Sequence, residues 1–170
     1  MLSGNHSDVI VKVKGEELRL HKVILATRNP YFDSMFRTDM KEKSTGIVTI
    51  EDCDPGVFRS FICFLYTGKV DKLSTENVCS LYEVADKYQE DQLKRKCMNL
   101  MLNTLSIDSF CDYFVFALRH DEKELFEKAI EFFTDNVKAI GRSLKWQTFV
   151  KEYPIQANEL FLKALDNSDK

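Results

Sequence analysis

The sequence is poor in glycine, and so in the loops that glycine builds. Its six glycines, at positions 4, 15, 46, 56, 68 and 141, never fall within two residues of one another. Clustered glycines let a backbone wrap a phosphate, so GxGxxG and Walker-type loops are excluded. Histidine is scarcer still: His6, His21 and His120 stand apart, and none pairs with a His or Cys at zinc-finger spacing. There is no GxSxG nucleophile elbow. The five cysteines (Cys53, Cys63, Cys79, Cys97, Cys111) are odd in number with no close pair. They read as small buried hydrophobes of a reducing, intracellular protein. No apolar run exceeds the six residues of Phe61 to Tyr66, against about 20 for a membrane helix, and no signal peptide is visible. Neither sign of charge dominates, since 24 basic and 27 acidic side chains leave a formal −3. A nucleic-acid binder usually carries a basic excess on one face, so neither nucleic acid nor membrane is expected as a partner. The basic run Lys94-Arg95-Lys96 follows Glu90 and Asp91 and reads as a solvated helix face. No cofactor, metal or catalytic constellation is expected.

What is present is a patterned, 44% hydrophobic chain of 170 residues. A chain of that length buries roughly 70% of its unfolded surface without a staple. Val9, Val11 and Val13 alternate with Asp8, Lys12 and Lys14, the pattern of a half-buried strand, with Ile10 as an apolar residue on the polar face. Gly15-Glu16 is the expected turn, and Glu17 to Leu20 the returning strand with Leu18 and Leu20 inward. A helix over His21 to Arg28 follows. Asn29-Pro30 restarts the chain with Asn at N-cap and Pro at N1, placing Tyr31, Phe32, Met35 and Phe36 on one stripe. A polar stretch leads to a third strand, Ile47 to Ile50, and Asp54-Pro55 opens another capped helix. That helix is apolar on most sides and must lie in the centre of the core. Thr67-Gly68 ends it. Two more helical stripes follow, Val78 to Tyr88 within a segment starting at Ser74, and Leu93 to Met101.

From Ser106 on the pattern is helical throughout. Asp121 and Glu124 have capping-box spacing ahead of Leu125, Ala129, Ile130, Phe133 and Val137. Shorter helices are expected around Trp146 and Leu160 to Leu165, with a frayed polar end. The chain thus reads as α+β over residues 1–104, followed by an all-helical extension over 105–170.

Several of these segments share a family pattern. Asp8-Val9, Leu20 to Ala26, Arg28 to Phe32 and Met35-Phe36 resemble the BTB/POZ domain, a short β-sheet packed on a helical cluster. Phe61 to Gly68 resembles that family's central helix with its Y-T-G ending, and Ala85 to Tyr88 with Leu93-Lys94 its next helix pair. Residues 106 to 165 are similar, more loosely, to the shortened BACK helical extension of speckle-type POZ proteins. The resemblance implies a non-enzymatic interaction adaptor that homodimerises and often recruits cullin-3 through its N-terminal domain for ubiquitination of a target. In speckle-type relatives that target is bound by a separate upstream MATH domain, and nothing in this chain looks like one.

The resemblance also implies site residues. The family's cullin contact is a hydrophobic-x-Glu motif after the second helix, and Met40-Lys41-Glu42 matches it. Met40 is the one large apolar side chain between Arg37 and Gly46, and an exposed Met fills a partner's pocket adaptively. Phe36 flanks the motif, and Tyr88 resembles a second contact, with a core tyrosine as the equal alternative. Candidates for the dimer interface are Asp8, Ile10, Lys22, Val23 and Ala26; completion of the monomer core competes for the apolar three. Speckle-type relatives add a hydrophobic helix before the first strand, where this chain has only Met1 to His6. That implies either a weaker dimer or a longer native chain. His21 is expected to be a satisfied, partly buried histidine. The alternative function is a dimerisation scaffold, for example for corepressor peptides, without cullin binding.

Overall fold

The computed structural model describes residues 5–37, 45–70 and 75–168. The chain divides into two compact units, Met1–Cys97 and Met98–Lys170.

The first unit opens with the expected hairpin, β1 (Val9–Val13) and β2 (Glu16–Leu20). The alternation of β1 is realised fully: Val9, Val11 and Val13 are buried, Ile10 and Lys12 half-buried. The turn lies one residue earlier than the sequence suggests. Lys14 and Gly15 both take positive φ, 44° and 88°, and Val13 pairs with Glu16. Two positive φ angles in a two-residue loop match the right-handed twist of the strands, and Gly15 meets that demand without strain. The third strand, β3 (Ile47–Ile50), pairs parallel to β1, giving the order β2-β1-β3. Val48 and Ile50 join the buried face. On the other face Ile10 sits beside its register partner Ile47.

Four helices complete this unit: α1 (Lys22–Arg28), α2 (Pro30–Arg37), α3 (Pro55–Thr67) and α4 (Val78–Lys87). Both Asx-Pro starts work as caps. Asn29 Oδ1 accepts from the Tyr31 and Phe32 amides at 3.2 and 3.3 Å, and Asp54 Oδ1 from those of Gly56 and Val57 at 2.8 and 3.1 Å. Helix α3 is the central one, with Val57, Phe58, Phe61, Ile62, Phe64 and Leu65 all buried. It stops at Gly68, whose φ of 70° is the left-handed C-cap that glycine adopts most cheaply. The helix expected from Ser74 begins at Val78; Ser74 lies outside the described residues. Helix α5 (Asp91–Asn103) carries Leu93, Cys97 and Met101 as one fully buried stripe.

The second unit is helical, with α6 (Phe110–His120), α7 (Lys123–Gly141), α8 (Leu144–Glu152) and α9 (Pro154–Ser168). Its core is aromatic: Phe133 and Trp146 lie 5.0 Å apart between centroids, and Trp146 and Phe149 stack at 5.1 Å. Ser143 caps α8 through a 3.1 Å bond from the Trp146 amide. The capping box expected at Asp121 is not formed. Asp121 takes φ 53° and closes α6 as a left-handed C-cap, while Glu122 precedes α7 without a side-chain cap bond. The spacing fitted a helix start, but the short turn needed a residue tolerant of positive φ, and Asp tolerates it better than most. No helix among the described residues is long and apolar enough to cross a membrane.

Candidate protein-interaction site

The segment bearing Met40-Lys41-Glu42 lies outside the described residues, but the platform before it is well defined. Asn29 is 1% exposed and joins three elements. Its backbone N–H closes α1 on Leu25, its Oδ1 caps α2, and its Nδ2 donates to the Tyr88 carbonyl at 2.8 Å. That last bond ties α2 to the C-terminal end of α4. An aromatic stack continues the tie. Tyr88 lies parallel to Phe32 at 5.5 Å, and Phe32 stacks on Phe36 at 6.0 Å. The Lys22 ammonium sits 5.7 Å from the Phe36 centroid. Phe36 is half-buried at the last turn of α2.

Tyr88 is a core residue, 3% exposed and enclosed by Tyr31, Phe32, Phe58 and Phe61. Its ring therefore presents no face for a partner to cover, which corrects the reading of Tyr88 as a surface contact. The cause is its place at the C-cap of α4, where the chain turns the side chain under α2 and α3. Burial pushes its phenol far above the ordinary tyrosine range.

One edge of Tyr88 does reach a cleft of about 260 Å³ between the start of α3 and α4. Asp52, Cys53, Asp54 and Val57 form one wall, and Ser80, Glu83, Val84 and Lys87 the other. Lys87 Nζ contacts both Asp52 carboxylate oxygens, at 2.8 and 2.6 Å, and holds that carboxyl below its usual range. Burial, with the Asp54 and Asp52 charges behind it, pushes the Cys53 thiol up, so it is a poor nucleophile. Among the described residues no group of three or more His, Cys, Asp or Glu is arranged to hold a metal ion.

The dimer candidates fall into two sets. Val23, on α1, is 69% exposed, and Ile10 is half-buried beside Ile47, itself 39% exposed. Ala26 is half-buried on α1. The polar pair is arranged differently from a simple ion pair: Asp8 Oδ1 accepts the Lys22 backbone N–H at 2.7 Å. Asp8 thereby caps α1 from outside the helix, a task its own N-cap, His21, leaves undone. His21 is satisfied, as expected. Its ring nitrogens lie 3.0 Å from the Tyr66 hydroxyl and 2.8 Å from the Asn5 carbonyl oxygen.

Residues 1–105 match the family model described as the BTB/POZ domain. The chain belongs to the BTB/POZ family. Among curated relatives it is similar to mouse TD and POZ domain-containing protein 4, 33% identical over 156 residues, covering 91% of this chain and 42% of the relative. It is likewise similar to mouse TD and POZ domain-containing protein 2, 30% identical over 156 residues, 91% of this chain and 43% of the relative. The chain thus spans less than half the length of these relatives, and the likeness runs on well past residue 105. Among solved structures it is similar to the BTB domain of zebrafish PATZ1, with 25% identity, a TM-score of 0.52, and coverage of 60% of this chain and 80% of that one.

A BTB/POZ domain is a protein-interaction module. The placing of Ile10 on the outer face of β1, beside Ile47, was legible from the strand alternation. The cleft beside Tyr88 was not. Its two walls come from separate stretches of chain, Asp52 to Val57 and Ser80 to Tyr88, and no local spacing signals their meeting.

Proposed function

We propose that this BTB/POZ domain and its helical extension form a homodimeric intracellular adaptor that recruits cullin-3. The target for ubiquitination is bound by a domain outside this chain, in the arrangement of speckle-type POZ proteins. The domain boundary is placed at 104/105, and the helices beyond it are read as a short BACK-like extension. The observation that carries the reading is Met40-Lys41-Glu42, a hydrophobic-x-Glu motif lying just beyond α2 in a chain of this family. Helix α2 supports it, because the Phe32–Phe36 stack holds the end from which the motif departs. Exposed Val23 and the Ile10–Ile47 pair support self-association, being apolar surface that a second copy would cover.

The mechanism is proximity: the adaptor holds two proteins together and does no chemistry. Titration calorimetry against the cullin-3 N-terminal domain tests it. Micromolar or tighter binding is expected, weakened by about 2 kcal/mol or more per anchor in the Met40→Ala, Glu42→Ala double variant. Equal affinity in that variant would remove the motif from the mechanism. A normal dimer that binds no cullin would leave a dimerisation scaffold in place of a ligase adaptor.

A further inference from the structure

We draw no further inference here: the strongest candidate, the exposed apolar stripe that Ile155, Leu162 and Leu165 form along α9, carries nothing because nothing in the structure shows what covers it.

Discussion

Replacing Asn29 should destabilise the first unit more than any other single polar change among the described residues discussed above. Asn29→Ala removes a cap that accepts from two α2 amides, a loss of about 0.5–2 kcal/mol. It also strips the Tyr88 carbonyl of its 2.8 Å side-chain donor, at a cost of about 1–3 kcal/mol if that buried group finds no water. Together these give about 1.5–5 kcal/mol. Asn29→Asp separates the two terms. It keeps the cap acceptor but turns a carboxylate oxygen towards the Tyr88 carbonyl and towards Glu90, whose Oε2 lies 3.5 Å from Nδ2. Burial and that neighbour raise the new carboxyl above its unfolded value. Its protonated form then donates to the carbonyl, so the variant is worst at neutral pH and recovers as pH falls through the raised value. Urea unfolding followed by far-UV circular dichroism, at pH 7 and pH 5, reads both effects. Amide exchange in α1 and α2 localises them to this unit. A loss below about 1 kcal/mol in Asn29→Ala, or an Asn29→Asp variant as stable as wild type at pH 7, would refute the reasoning.

Phe61→Ala, at a fully buried position in α3, should cost about 3–5 kcal/mol in the same assay and can unfold the unit outright. Gly68→Ala meets no steric obstacle, since a Cβ there would touch nothing within 4 Å, but φ 70° is left-handed, so about 1–2 kcal/mol is expected by thermal melting. Burial pushes the Cys97 thiol up to about 12 from an ordinary 9.0. The folded state then holds its proton where the unfolded state has lost it, so stability present below pH 9 declines as pH rises towards 12. Alkaline titration of wild type beside Cys97→Ala should show the shallower slope in the variant, and identical slopes would remove Cys97 as the cause. Val23→Asp combined with Ile10→Lys should shift the chain from dimer towards monomer in sedimentation velocity, without a change in fold by circular dichroism. An unaltered sedimentation coefficient would place the dimer contact elsewhere.

Local order was open to the sequence. The alternation of Val9, Val11 and Val13, the two Asx-Pro helix starts and the Gly68 stop all act between near neighbours, where sterics and one or two hydrogen bonds decide the outcome. The all-round apolar character of α3 told where it must lie, because such a helix has no face to give to water. The same reasoning failed at Asp121, where capping-box spacing was present but the tight link between α6 and α7 required a positive φ and took the residue for that. It was also silent where distant segments meet. Asp8 was recognisable as a charged residue before a strand, but its bond to the Lys22 amide exists only because the hairpin returns the chain beside it. Tyr88 fitted a helix stripe and an interface equally well by sequence. Only the packing of α2 and α3 over the end of α4 decided that its ring is core. Periodicity and capping are written into neighbouring residues, whereas burial, partner choice and cleft shape depend on which surfaces the folded chain brings together.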